Sequence, residues 1–167
     1  MLSQEQINTI EAKTNTILET VFGNAVDLSI PISLEKILKH YGISVKSGEF
    51  EDDNISGAFE RDVKTIYIAD DEPLNRRAFT VAHELGHVFL HEDTKNEVFL
   101  RSQILNLPEE SRKEEQEANW FAAALLIPEK QLRHYYSLTK DLGDLAIVFG
   151  VSSTAVYFRL KNLEMTL

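Results

Sequence analysis

Apolar residues recur every three or four positions in several stretches of the chain, and this spacing predicts amphipathic helices. One stretch covers residues 3–22, and a second follows Ser33, a predicted N-cap, and stops at Gly42, a predicted left-handed cap. A third, residues 109–126, begins with acidic residues, continues with an apolar face and ends before Pro128. The pattern therefore predicts a mostly helical chain.

Two shorter segments, residues 55–59 and 65–68, have the composition and the alternation of polar and apolar residues that are typical of strands. Residues 43–45 open a further extended segment just after the second helix. All three precede a long amphipathic helix that is predicted to start at Pro73. We expect an α+β fold in which a small antiparallel sheet packs beside this helix.

The C-terminal segment has the pattern of a helix-turn-helix. Ala146 would pack between two helices, Gly150 would make the turn, Ser152 would cap the second helix and Val156 would enter the core. We therefore divide the chain into residues 1–137, the main domain, and residues 138–167, a helical segment expected to pack on the same core.

Composition narrows the functional classes. The chain has 167 residues, 43% of them hydrophobic, which is enough for one well-buried core. It has no cysteine, so disulfides and thiolate metal sites are excluded. No apolar run is long enough to span a bilayer and the N-terminus does not resemble a secretory signal, so we expect a cytoplasmic protein without membrane contact.

The net charge of −10 opposes non-specific attraction to nucleic acid. The second helix of the helix-turn-helix-like segment also offers few basic or amide side chains near its start, where Ser153 and Thr154 are the main polar residues. We therefore do not expect direct DNA binding, and we interpret this segment as a packing or substrate-docking module. The sequence is silent on oligomeric state.

The long helix that starts near Pro73 contains the motif His83-Glu84-Leu85-Gly86-His87, an H-E-x-x-H pentapeptide. Two histidines four residues apart lie on one helix face and can reach the same metal ion. A zinc ion with three protein ligands keeps a position for water and lowers the pKa of that water to about 7. Glu84 could then act as the general base, which makes a zinc-dependent hydrolase the leading hypothesis.

The third ligand should be a carboxylate from a helix downstream of the motif. Glu115 is the first choice because Asn119 lies one turn later and could hydrogen-bond an imidazole, and Glu117 is the alternative. Most of the remaining acids of this cluster, and most of those at residues 70–72, are expected to be solvated or to mark helix starts. Two histidines and a carboxylate also suit manganese or iron.

His91 follows His87 by one more turn, but along an unbroken helix it would lie about 12 Å from His83, too far to share a metal. We interpret it as a C-terminal cap or as a group on the substrate side. Four residues could stabilise an oxyanion, and the sequence does not rank them: Tyr67, His91, His134 and Tyr135.

Over nearly its whole length the chain resembles the ImmA/IrrE family of metallopeptidases. The resemblance is carried by residues 77–87 with Leu90-His91, by residues 115–128, and by Ser56-Gly57 ahead of residues 66–68. It implies that His83, His87 and Glu115 bind zinc and that Glu84 is the catalytic glutamate.

Members of that family typically cut a helix-turn-helix repressor, often encoded beside them on mobile elements or in stress-response systems. The resemblance therefore implies a zinc endopeptidase with such a repressor as its partner. The competing hypothesis is a regulatory module that binds a repressor or DNA without cutting it, and the intact Glu84 argues against it.

Overall fold

A computed structural model describes residues 2–23, 28–52, 55–91, 97–100 and 109–165. Within these ranges the helices are α1 (Gln4–Phe22), α2 (Leu34–Tyr41), α3 (Leu74–Leu90), α4 (Glu109–Leu126), α5 (Glu129–Leu138), α6 (Leu142–Phe149) and α7 (Ser153–Asn162). The strands are β1 (Ser44–Gly48), β2 (Ile55–Glu60), β3 (Thr65–Ala69) and β4 (Glu97–Leu100). The predicted mostly helical α+β class is confirmed.

Several helix boundaries are set by the caps that the sequence predicts. The Ser33 hydroxyl accepts a hydrogen bond at the start of α2, and Gly42 ends that helix in the left-handed conformation. Ser152 and Gly150 take the same two roles between α6 and α7. At α1, Ser3 forms a reciprocal capping box with Gln6, whose Oε1 accepts the Ser3 backbone N–H at 2.9 Å.

The sheet has the strand order β1-β3-β2-β4 and is mixed, so the expectation of an antiparallel sheet is corrected. Strand β1 runs parallel to β3, whereas β2 is antiparallel to both of its neighbours. The reason is that β3 inserts between the two strands that precede it in the chain. β3 is more buried than β1 and β2, and β4, which the sequence did not predict, pairs with the outer edge of β2.

Helix α3 packs against both the sheet and α4. A Cβ atom added at Gly86 of α3 would lie only 2.9 Å from the Ala118 Cα of α4. The two helices therefore approach each other more closely than a side chain at residue 86 would allow. Leu85 and Phe121 continue this contact into the hydrophobic core.

The helices after residue 138 join the same core through buried residues that include Leu145, Phe149 and Val156. A buried ion pair adds to this packing, because Arg159 of α7 donates to both carboxylate oxygens of Glu11 in α1, at 2.5 and 3.0 Å. The division of the chain at residue 138 stays a prediction. No helix in the described part of the chain is long and apolar enough to cross a membrane.

Candidate metal centre

Helix α3 places His83 and His87 one turn apart, and both side chains are buried. Their Nε2 atoms lie 3.0 Å from each other, so the two imidazoles converge on one point. The start of the helix is held by Arg77, whose guanidinium donates to the backbone carbonyls of Asp70 and Glu72 at 2.9 and 3.0 Å. Local helix geometry thus supplies two of the predicted ligands.

Helix α4 brings Glu115 to the same point. One carboxylate oxygen lies 3.3 Å from His83 Nε2, and the other lies 3.4 Å from His87 Nε2. Among the described residues, His83, His87 and Glu115 form a group that could hold a metal ion. Ligands about 2.0 Å from a tetrahedral zinc are separated by roughly 3.3 Å. The spacing of these three side chains therefore fits zinc.

The electrostatics of His83 and Glu115 also suit metal binding. Burial lowers the pKa of His83, which favours the neutral imidazole. Burial acts to raise the pKa of Glu115, but hydrogen bonds from His83 and His87 outweigh it and lower this pKa to about 2. Neutral histidines and an ionised carboxylate are the forms that bind metal.

Glu84 lies between the two histidines in sequence and is fully buried at the side of α3 that faces the sheet. A Cβ atom added at Gly57 of β2 would lie 3.2 Å from Glu84 Oε1 and 2.8 Å from Thr80 Cγ2. A side chain at residue 57 would therefore crowd the glutamate. The Ser56-Gly57 pair singled out in the sequence lies beside the motif, and its glycine allows this approach.

His91 is the C-cap of α3, as one interpretation of the sequence had it, and its imidazole makes contacts that neither interpretation described. Its Nδ1 lies 3.1 Å from His87 Nδ1, and its Nε2 lies 2.9 Å from Glu117 Oε2. His91 therefore joins His87 to a carboxylate of α4, and Glu117 is turned toward His91. His83 has the partner that the sequence suggested, since its Nδ1 lies 3.1 Å from Asn119 Oδ1.

Glu72 lies just before α3, as an acid at a helix start would, but it is 2% exposed and so is an exception to the expectation that most acids at residues 70–72 are solvated. It accepts hydrogen bonds from Ser56 at 3.1 Å and Thr80 at 3.2 Å, and it pairs with Arg76 at 3.3 Å. Nothing in the local sequence distinguishes Glu72 from its neighbours, because its burial depends on a contact with β2.

The suggested oxyanion donors other than His91 have partners of their own. The Tyr67 hydroxyl donates to Glu60 at 3.0 Å, and this hydrogen bond raises the pKa of Tyr67. The Tyr135 ring contacts Phe149, with ring centroids 5.7 Å apart, and His134 packs against Tyr135. No assignment of an oxyanion donor follows from these contacts.

A largely apolar cavity of about 770 Å³ lies between α7 and the two helices that carry His83, His87 and Glu115. Its wall includes Asn119, the partner of His83, and Trp120 on α4. Ser152, Thr154 and Phe158 line it from the α7 side. The first turn of α7 therefore faces this cavity.

A mixed sheet lies beside a helix with two buried histidines, and a carboxylate from a second helix completes a group able to hold a metal ion. Residues 38–161 match the Peptidase_M78 family model, described as the IrrE N-terminal-like domain. The chain belongs to this peptidase family, which confirms the resemblance found in the sequence.

The chain is 34% identical over 112 residues to the uncharacterized immunity region protein 2 of Bacillus phage phi105, covering 66% of this chain and 67% of the relative. Its fold is similar to that of a solved structure titled Mycobacterium tuberculosis transcriptional regulator, with a TM-score of 0.64 and 22% sequence identity. That match covers 94% of this chain, which spans about half, 48%, of the solved structure's length.

Proposed function

We propose that this protein is a zinc-dependent endopeptidase that cleaves a helix-turn-helix repressor. The observation that carries the proposal is the convergence of His83, His87 and Glu115, whose facing atoms are 3.0 to 3.4 Å apart. This convergence would let the three side chains hold one zinc ion, which with three protein ligands would keep a position for water. Manganese or iron could occupy the same ligands.

When bound, zinc would lower the pKa of a water molecule to about 7 and polarise the substrate carbonyl. Glu84 follows the first ligand directly, and its carboxylate would accept the proton of that water and pass it to the leaving amine. Its burial against β2 keeps bulk water away and strengthens its interaction with a proton. Asn119 and His91 would orient the ligand histidines.

The proposed substrate is supported by the family and by one relative. The Bacillus phage phi105 relative is titled an immunity region protein, and a phage is a mobile element of the kind on which members of the family are often encoded. We therefore propose that the repressor is encoded near this protein on a mobile element or in a stress-response system.

The alternative, a module that binds DNA without cutting a protein, is less well supported. Arg159, a basic residue of α7, is buried in its ion pair with Glu11 and is not available to phosphate groups. Ser152 and Thr154, at the start of α7, line the cavity beside α4. These placements favour a packing or substrate-docking role for the C-terminal helices.

The test is coexpression with the helix-turn-helix repressor encoded by the adjoining gene, comparing wild type with Glu84→Gln. The exposed Glu35→Gln is the matched control. Repressor length is followed by immunoblot, and the metal content of each purified protein is measured by elemental analysis. We expect wild type and Glu35→Gln to cut the repressor, and Glu84→Gln to keep its metal but lose cleavage.

Two results would contradict the proposal. If all three proteins hold metal and none cuts while repression still changes, the non-proteolytic alternative replaces it. If Glu84→Gln cuts as fast as wild type, the assignment of the general base is wrong.

A further inference from the structure

We propose that the apolar cavity beside α7 binds an apolar segment of the protein substrate, and that Arg76 on its wall pairs with an acidic residue of that segment. The proposal rests on the proposed function, because it takes the occupant to be the protein that is cut. It names residues that would select this substrate, none of which is among the three candidate metal ligands.

Four helices build the cavity. Ile7 lies on α1, Phe79 on α3, Trp120 on α4 and Phe158 on α7. The volume of about 770 Å³ is within the range of roughly 300–1,000 Å³ that is typical of ligand-binding pockets, which are also lined mostly by apolar and aromatic side chains. Phe158 is 52% exposed, so the apolar wall continues to the solvent as a contiguous surface. Such a surface is typical of a binding site.

The position of the cavity favours a peptide as its occupant. Asn119 lines it and lies 3.1 Å from His83 Nδ1, and Gln116, which also lines it, follows Glu115 directly. An extended chain advances about 3.3 Å per residue. A peptide with one bond at His83 and Glu115 would therefore reach the cavity within a few residues.

The wall that Trp120 forms is held in place before any ligand binds. The Trp120 indole N–H donates to Glu11 at 2.8 Å, and Glu11 is itself held by the Arg159 guanidinium at 2.5 and 3.0 Å. A wall that is already ordered loses little conformational freedom on binding, which favours affinity.

Arg76 gives the cavity its charge preference. It is the one charged residue among those that line the cavity in the described part of the chain. Its Nε pairs with Glu72 at 3.3 Å, while its side chain is 47% exposed and has further N–H donors on the two terminal nitrogens. These donors can bind a carboxylate of the occupant, so we expect an apolar segment that contains an acidic residue.

Trp120 also supplies the assay. It is the single tryptophan of the chain, so the intrinsic fluorescence of the protein reports directly on the cavity. The metal-free protein is titrated with overlapping peptides that cover the repressor encoded by the adjoining gene, with any tryptophan in them replaced by phenylalanine. Dodecanoate is titrated in parallel as a small apolar acid.

Two variants change the cavity, and each has a matched control. Phe158→Ser removes an exposed apolar wall, and its control is Ile147→Ser, which is 81% exposed on α6 and does not line the cavity. Arg76→Gln removes the charge, and its control is Arg133→Gln, at an exposed ion pair of α5 away from the cavity.

We expect a peptide with an acidic residue among apolar residues to change the fluorescence with saturation. Phe158→Ser should weaken this binding by about 5- to 20-fold, and Arg76→Gln by about 2- to 5-fold at low salt. Near about 1 M salt, the affinity of wild type should fall to that of Arg76→Gln, because screening removes the attraction of Arg76. Both control variants should bind as wild type does.

Several results would overturn the proposal. The first two are that no peptide binds, and that Phe158→Ser binds as tightly as wild type. Tighter binding of dodecanoate than of any peptide would assign the cavity to a small apolar acid, and self-association that Phe158→Ser abolishes would assign it to a second copy of the chain. An equal salt dependence in wild type and Arg76→Gln would overturn the role of Arg76.

The binding assay needs no metal, so it is separate from the test of cleavage. A peptide that binds in the cavity, from a repressor that the zinc-loaded protein does not cut, would refute the endopeptidase and keep the repressor as the occupant. A repressor that wild type and Phe158→Ser cut at equal rates would keep the endopeptidase and overturn the role of the cavity.

Discussion

Replacing Gly86 with alanine tests whether the close contact of α3 with α4 sets the geometry of the metal centre. The new Cβ would meet Ala118 Cα at 2.9 Å and the Ala118 carbonyl oxygen at 3.1 Å. Both are backbone atoms that cannot rotate away, so the helices must separate by about 0.5 Å to reach the 3.4 Å of an ordinary contact.

The loss of stability from overpacking is partly offset by the better helix propensity of alanine. Overpacking costs about 1–3 kcal/mol, while alanine is better than glycine within a helix by about 1 kcal/mol. We therefore expect the free energy of unfolding of the metal-free protein to fall by at most about 2 kcal/mol.

The metal centre should be more sensitive than the fold. Ligand distances in metal sites are held within about 0.2 Å, and Ala118 is one turn from Glu115 on the helix that must move. We therefore expect the substitution to reduce the free energy of Zn²⁺ binding by more than it reduces the free energy of unfolding. Chelator competition and thermal unfolding of the metal-free protein measure the two effects.

The matched control is Gly48→Ala in β1, because a Cβ at that glycine would meet nothing within 4 Å. It should leave Zn²⁺ affinity unchanged. Wild-type affinity in Gly86→Ala, with equal or higher thermal stability, would refute the argument that this contact sets the ligand geometry.

Two further predictions concern stability. Arg159→Met should lower the free energy of unfolding by about 3 kcal/mol, because it leaves the Glu11 carboxylate without its buried cation. The control Arg133→Met, at an exposed ion pair, should lower it by less than about 1 kcal/mol. Equal urea midpoints for the two variants would contradict this prediction. The pKa of Glu115 is lowered to about 2, so its ionised carboxylate stabilises the folded metal-free protein at pH values above the usual glutamate pKa. This contribution is lost as the pH falls toward 2. The free energy of unfolding in urea, measured between pH 5 and pH 2, should therefore fall less steeply with decreasing pH in Glu115→Gln than in wild type. Parallel curves for the two proteins would contradict this prediction.

Sequence patterns predicted the elements whose signals are local. The caps at Ser33, Gly42 and Gly150 are short-range features, and each is confirmed. The H-E-x-x-H spacing depends only on helix geometry, and the structure brings His83 and His87 together as that spacing predicts. Glu115 could be preferred to Glu117 as the third ligand because Asn119 lies one turn after Glu115.

What the sequence could not reveal depends on contacts between distant segments. The place of β3 between β1 and β2 follows from the path of the chain, and alternation within a strand carries no information about it. The burial of Glu72 requires Ser56 from another strand, and the pairing of His91 with Glu117 requires a particular rotation of α4. Helical periodicity identifies an apolar face but does not fix the contacts of a single polar side chain.

The ion pair between Arg159 and Glu11 affects how late in synthesis the metal centre can become rigid. Glu11 also accepts a hydrogen bond from Trp120 at 2.8 Å, on the helix that carries Glu115. Until α7 has emerged from the ribosome, this carboxylate lacks its cation and α4 lacks part of its packing. We expect a nascent chain to acquire a rigid metal centre only once α7 has left the ribosome and folded back onto α1.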